Sequence, residues 1–151
     1  MRAVTSSNGS VFVGDHDEPT GLGELITVTS SGICGSDLHG IASGLSGVIL
    51  GHEFGGFTSD GTLVAVRPTG ECGSCPQCTS GFPHTCPQAM ATLHGFFING
   101  GLAEYVRVEP SRLVPVPAGT DAATVGLVEP LAVVVHGINR VTLIKGMSAL
   151  V

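Results

Sequence analysis

The sequence lacks tryptophan, has one tyrosine, and carries little charge: 12% of its 151 residues are Asp, Glu, Lys or Arg. The formal net charge is −6, and the six basic residues are scattered. A nucleic-acid-binding surface needs clustered Lys and Arg, so the charge pattern argues against one. No apolar run looks long enough to span a bilayer, and no apolar segment behind Met1 resembles a signal peptide. We therefore expect a cytoplasmic protein with neither a membrane nor a nucleic-acid partner.

The cysteine content argues against a disulfide-stabilised protein. There are five cysteines, and an odd number without a secretion signal does not suit a disulfide framework. In a reducing compartment, thiols remain available as metal ligands. The cysteines therefore point to metal binding.

Glycine is abundant, with 23 residues, and this content fits short strands joined by many turns. Alternating apolar and polar residues predict a mostly β protein in the first 120 residues. Turns are predicted at Asn8-Gly9 and Asp60-Gly61. The predicted strands are Arg2–Thr5, Ser10–Gly14, Glu24–Thr29, Val48–Leu50, a hairpin over Phe57–Val66, Leu102–Val108 and Leu113–Val116.

The amino-acid composition changes at Asp121, after which Ala, Val, Leu and Thr predominate. Asp121 or Thr120 is predicted to cap a first helix. A second helix is predicted over Leu131–Val141, beginning at Pro130 in a first-turn position. Ser148–Val151 reads as the opening of a buried strand. We therefore divide the chain into residues 1–120 and residues 121–151.

Four cysteines share one loop rich in Gly and Pro, with the spacing Cys72-x2-Cys75-x2-Cys78-x7-Cys86. Four thiolates converging from one loop form a closed tetrahedral zinc site, which is structural because no coordination position stays free. An iron–sulfur cluster is the alternative, but the bacterial ferredoxin pattern has a last gap of three residues rather than seven. The spacing favours zinc.

A second group of potential ligands lies between Gly32 and Glu53. It contains one thiol, two imidazoles and two carboxylates in a chain that is otherwise poor in charge. A catalytic zinc site uses a few such ligands and leaves one position open for water or substrate. The residues of this group are Cys34, Asp37, His39, His52 and Glu53.

Five motifs occur in the order found in zinc-dependent medium-chain alcohol dehydrogenases, and the resemblance is greatest to the polyol (sorbitol) and threonine dehydrogenase branch. The resemblance implies a GroES-like β-barrel catalytic domain joined to a Rossmann domain. It also implies NAD(P)-linked oxidation of an alcohol to a carbonyl. The motifs are Cys34–His39, Gly51–Glu53, the Cys72–Cys86 loop, Gly100–Tyr105 and Glu129–Ala132.

By this resemblance, Cys34 and His52 are the first two ligands of the catalytic zinc. The chain has no spare cysteine for a third ligand, so a carboxylate must serve, either Glu53 or Glu129. Zn²⁺ with one thiolate, one carboxylate and neutral His is uncharged, and a second bound carboxylate would weaken its pull on an alkoxide. We expect one glutamate to ligate and the other to exchange with water. Glu129 is alternatively a helix-start carboxylate.

The resemblance also assigns a proton relay. Ser36 matches the hydroxyl that passes on the substrate proton, and His39 matches the imidazole at the outer end. Asp37 matches the carboxylate that fixes the tautomer of a ligating histidine. His39 is alternatively a surface histidine, and Asp37 a turn or helix cap. The remaining histidines are treated as structural or exposed: His16, His84, His94 and His136.

Two features depart from the family. The interval between His39 and His52 is short, which leaves the substrate size open. No Gly-x-Gly-x-x-Gly appears near the end, so the Rossmann domain is expected to be missing. We expect the chain alone to be inactive, with NAD(P) bound only by a full-length, homo-oligomeric form. The alternative is a zinc-binding structural or interaction module without catalysis. A nucleic-acid zinc ribbon is disfavoured by the charge.

Overall fold

Antiparallel strands carry the core of this computed structural model, which describes residues 1–142 and 144–148. The strands are β1 (Arg2–Ser7), β2 (Ser10–Asp15), β3 (Glu24–Ser31), β4 (Phe54–Phe57), β5 (Leu63–Val66), β6 (Tyr105–Val108) and β7 (Leu113–Pro115). A hairpin pairs β1 with β2, and a five-stranded sheet has the order β6-β3-β4-β5-β7. Isolated bridges, Ala3 to Ala103 and Thr5 to Ile49, tie the hairpin to the rest of the fold.

One face of the larger sheet carries the core. In β6, Val106 and Val108 are buried while Tyr105 and Arg107 point the other way, as the two-residue period of a strand requires. Burying a side chain of this size contributes about 1.5 to 3 kcal/mol, so these few positions supply much of the driving force. The core residues are Ile26, Phe54, Val64, Val66, Val106 and Val108.

Several predicted strands are confirmed. Asn8 and Gly9 have φ values of 50° and 75°, as the hairpin turn between β1 and β2 requires. The Glu24 strand forms, and the predicted hairpin at Asp60-Gly61 joins β4 to β5. Its first strand starts at Phe54 rather than Phe57.

Two predicted strands are wrong in extent. Val48–Leu50 is not a strand, because flanking Gly47 and Gly51 have φ values of 81° and 92° and only Ile49 makes an isolated bridge. The strand predicted over Leu102–Val108 begins at Tyr105. The chain before it leaves the sheet to bond β1, since the amide of Val4 donates to the carbonyl of Leu102.

The helices differ most from expectation. Helix α1 (Gly35–Ala42) was not predicted, and α2 (Pro76–Thr79) is a single turn. Asp121 caps the next segment as expected, accepting from the amide of Ala123 at 2.9 Å, but Ala122–Leu127 is a 3₁₀ helix. Helix α3 spans Val128–Asn139 rather than Leu131–Val141. Pro130 lies in its first turn, where no intrahelical donor is needed. The strand predicted at Ser148–Val151 lies, apart from Ser148, outside the described residues.

The continuous helical run Ala122–Asn139 corrects the expectation that no apolar stretch is long enough to span a membrane. Its mean hydropathy is 1.4 over 18 residues, and by length and composition alone it meets that test. Its first part is nevertheless a packing element of the fold. Val125 is fully buried, and its methyl groups occupy the space above Gly55 of β4.

Arg112 holds the two ends of the cysteine loop together. It is 2% exposed and donates to the carbonyls of Arg67, Pro68 and Thr92. Thr92 in turn accepts from the amide of Gly70 at 2.7 Å. Burial lowers the pKa of Arg112 from its usual value. Its three carbonyl partners compensate the buried guanidinium, and the nearby charges of Glu109 and Glu71 add to this effect.

Replacing Arg112 with Met should destabilise the fold. Three buried carbonyls lose a charged donor, and the loss is partly offset because no charge is left to desolvate. We expect the free energy of unfolding to fall by about 2 kcal/mol. Urea denaturation measures it, with exposed Arg140→Met as the control. Equal midpoints for the two variants would contradict the role given to Arg112.

Candidate metal centres

The four cysteine sulfurs of the loop converge on one point. Sγ of Cys75 lies 3.5 Å from that of Cys78 and 3.9 Å from that of Cys86. Sγ of Cys72 lies 3.7 Å from that of Cys86 and 4.0 Å from that of Cys78. A tetrahedral ion with metal–sulfur bonds of about 2.3 Å separates its sulfurs by about 3.8 Å. The observed distances fit one such ion, and they are too long for disulfides.

The local backbone prepares this loop for a cation. Backbone amides of Ser74 and Cys75 lower the pKa of the Cys72 thiol to about 6. Desolvation, followed by the hydrogen bond from Cys75, raises the pKa of Cys78 to about 12. Four thiols this close cannot all ionise unless a cation compensates them. An iron–sulfur cluster places its thiolates on different iron atoms, so sulfurs 3.5–4.0 Å apart favour a single ion.

The second group of potential ligands lies where β3 ends and the antiparallel strand β4 begins. Cys34 is the N-cap of α1, three residues after β3 ends, and His52 and Glu53 directly precede β4. One ligand atom from each of Cys34, His52 and Glu53 lies within 4.8 Å of the others. Three donors at this spacing can hold a metal and leave a fourth position open.

Asp37 fixes the orientation of His52. Its Oδ1 lies 3.2 Å from Nδ1 of His52, and its Oδ2 accepts from the amide of Cys34 at 2.9 Å. Asp37 is 1% exposed, and its hydrogen bond is the main cause that raises the pKa of His52 to about 9 without metal. The bond leaves Nε2 as the nitrogen able to bind a metal, and the hydroxyl of Ser36 lies 3.3 Å from it.

Glu129 and His39, two further predicted site residues, lie outside the group of Cys34, His52 and Glu53. Glu129 is half-buried in the first turn of α3. Burial raises its pKa, while the charge of His52 lowers it and that of Glu53 raises it, so the three lie within electrostatic reach. His39 is exposed on α1.

Some contacts had no sequence signal. The ring of Phe96 lies 5.7 Å from that of His52, and a lone aromatic in a loop has no periodicity to mark it. His84 and His136, which had no predicted partner, have ring centroids 6.1 Å apart. His94 is a structural histidine as expected, since it is 1% exposed and its Nδ1 lies 2.6 Å from the carbonyl oxygen of Asn99.

Comparison with known protein families identifies the family of this chain. Residues 23–118 match the model of the alcohol dehydrogenase GroES-like domain. The chain belongs to this family. The GroES-like fold and the resemblance to zinc-dependent alcohol dehydrogenases, expected from the five motifs, are confirmed.

The relatives of this GroES-like chain include dehydrogenases that act on polyols and sugar acids. It is 32% identical over 142 residues to L-idonate 5-dehydrogenase (NAD(P)(+)) of Escherichia coli, covering 82% of this chain and 41% of that protein. It is 34% identical over 165 residues to sorbitol dehydrogenase of Halalkalibacterium halodurans, covering 97% and 48%. The structure of galactitol-1-phosphate dehydrogenase from E. coli matches with TM-score 0.84 and 29% identity, covering 92% and 44%.

The chain therefore spans less than half the length of these curated relatives. Solved structures at 28–32% identity include complexes described as bound to NADP, or to cobalt and zinc. The family is thus one of zinc-type oxidoreductases that use nicotinamide cofactors.

Proposed function

We propose that residues 1–151 form the zinc-binding catalytic portion of a dehydrogenase that oxidises an alcohol, polyol or amino alcohol to a carbonyl with NAD(P). The supporting observation is the group of Cys34, His52 and Glu53, whose donor atoms lie within 4.8 Å of one another. The chain also holds a four-thiolate loop, so it combines the donor set of a catalytic site with an open position and that of a closed structural site.

Two zinc sites follow from the donor sets. Cys72, Cys75, Cys78 and Cys86 would hold the structural ion. Cys34, His52 and Glu53 would hold the catalytic ion, with Glu129 as the carboxylate that exchanges from α3. Glu53 is preferred as the third ligand because it belongs to the compact group and Glu129 does not. Zinc, when bound, would supply Lewis-acid stabilisation of an alkoxide oxygen.

The chain's own residues would move the substrate proton. Ser36 would accept it at Oγ, which lies 3.3 Å from Nε2 of His52 and is open to solvent. His39 lies three residues further along α1, so the two side chains share one face of the helix. The exposed imidazole of His39 would release the proton to water.

Asp37 would act through His52 rather than on the substrate. Replacing Asp37 with Ala frees the imidazole to rotate, and such changes cost about 10- to 100-fold in metal affinity. We expect that loss at the ion that Cys34 holds, measured by competition with a chelator. Exposed Asp17→Ala is the control, and an Asp37→Ala variant with unchanged affinity would contradict this role.

Several further expectations belong to this proposal. They are a domain boundary between residues 120 and 121, a cytoplasmic location, a small-molecule substrate, no nucleic-acid or membrane partner, and homo-oligomers in the full-length form. NAD(P) would be held by a Rossmann domain, and residues 121–151 would be linker helices and the start of that domain. The 151-residue polypeptide alone is therefore expected to be inactive and to show no saturable NAD(H) binding by calorimetry.

Activity tests the proposal directly. The test uses a protein in which residues 1–151 are followed by a cofactor domain. With NAD⁺ or NADP⁺, it should oxidise at least one member of a panel of polyols, amino alcohols and simple alcohols. Ser36→Ala should lower turnover while the metal is retained. The second candidate, a zinc-binding structural or interaction module without catalysis, is favoured by the four-thiolate loop alone. It would be supported by one zinc per chain, unaffected by Cys34→Ala.

A further inference from the structure

Gly32 stands directly opposite Glu53 at the end of the β3–β4 pair. Ser31 pairs with Phe54, so the next residues outward, Gly32 and Glu53, face each other, and the amide of Gly32 donates to the carbonyl of Glu53 at 2.7 Å. Directly opposed residues of an antiparallel pair carry their side chains on the same face. Any side chain at position 32 would therefore share the face that Glu53 occupies.

The backbone conformation does not require glycine at this position. Gly32 is not one of the glycines with a positive φ. Glycine is required because there is no room for a side chain. A methyl group on Gly32 would overlap Oε2 of Glu53 and lie 3.2 Å from its Cβ and 3.4 Å from its Cδ. The three nearest atoms all belong to Glu53, so the side chain of Glu53 crosses the volume that glycine leaves free.

We propose that Gly32 is a positioning residue for the catalytic metal site: its missing side chain lets Glu53 fold across β3 and present its carboxylate to Cys34 and His52. Without that space, the carboxylate must swing out of the group of three. The inference rests on the proposed function, since it assigns the third ligand of the same site to Glu53 rather than to Glu129.

The test is Gly32→Ala, with affinity measured for the ion that Cys34→Ala removes. Zinc and cobalt(II) are the probes, in competition with a chelator, while the four-cysteine loop remains loaded. We expect affinity to fall by about 10- to 100-fold, the range for a change that misplaces a ligand. Gly35→Ala is the matched control, because a methyl group there meets nothing within 4 Å. Gly35→Ala should leave the metal affinity within about twofold of that of the parent chain, a much smaller change than the loss expected for a misplaced ligand.

A double-mutant cycle separates positioning from general damage. In the Glu53→Ala background, Gly32→Ala should cost little further affinity, because the carboxylate it displaces is gone and only the contact with Cβ of residue 53, at 3.2 Å, remains. If Gly32→Ala alone lowers the thermal midpoint, Glu53→Ala should restore most of the loss, because it removes the nearest of the three contacting atoms, Oε2. Unchanged affinity in Gly32→Ala, an equal loss in both backgrounds, or a double variant that fails to fold would each overturn the inference.

The same experiment keeps the two proposals apart. If Cys34→Ala releases an ion but Gly32→Ala does not weaken it, the metal site stands and Glu129 becomes the third ligand. If Cys34→Ala releases no ion, the proposed function itself is wrong, and this inference is overturned with it.

Discussion

Cys75→Ser is expected to release one metal ion per chain and to unfold the segment between Gly70 and Thr92. Sγ of Cys75 lies within 3.9 Å of those of Cys78 and Cys86, so its loss opens the tetrahedron. The loop has almost no core of its own, since between Gly70 and Met90 only Cys86 and Ala89 are buried. Zinc binding contributes about 10 to 16 kcal/mol in small structural sites, and nothing else in this loop replaces it.

Elemental analysis and hydrogen exchange measure this result. The exchange protection of loop amides should disappear while that of β3 and β6 remains, because Arg112 and the sheet core lie outside the opened site. Gln77→Ala is the control, an exposed position between two of the ligands. If Cys75→Ser retains both its metal content and its loop protection, the structural site is wrongly assigned.

Cys34→Ala is expected to release the other ion and to leave the fold intact. The thiolate is the only sulfur ligand of that site, so its loss should cost more than the roughly 10- to 100-fold typical of residues behind the ligands. The backbone amide of Cys34, which bonds Asp37, remains, so α1 and the orientation of His52 should survive.

The comparison that isolates the thiol is Ile33→Ala. Ile33 precedes Cys34 and is 69% exposed, so its truncation perturbs the same turn without removing a donor. It should keep two metal ions per chain, whereas Cys34→Ala keeps one. If both variants keep two ions per chain, Cys34 is not a ligand of the second metal.

The two sites differ in how far the sequence could predict them. The four-cysteine loop is local, so the spacing from Cys72 to Cys86 carries most of its geometry. The second group depends on the β3–β4 register, which brings Cys34 beside His52 across 18 positions. Motif order placed these residues together, but the choice between Glu53 and Glu129 depends on how α3 packs. The position of the Glu53 side chain over Gly32 likewise depends on strand pairing, so the sequence alone does not predict it.

The misplaced elements have local causes. Helix α1 was not predicted because its eight residues include Gly35, Ser36 and Gly40, which are poor helix formers. It forms because the Asp37 carboxylate accepts from the amide of Cys34 at its start. Val48–Leu50 has strand composition, but Gly47 and Gly51 turn the backbone on both sides. A capping contact in the first case, and the backbone of two flanking glycines in the second, outweigh the intrinsic propensity.

Anomalous X-ray scattering at the zinc absorption edge tests the central claim most directly. Crystals of the chain grown with zinc should show two peaks. One should lie at the centre of the four sulfurs of Cys72, Cys75, Cys78 and Cys86, and the other between Cys34, His52 and Glu53. A single peak in the cysteine loop, with Cys34 and His52 free of metal at full zinc loading, would contradict the account.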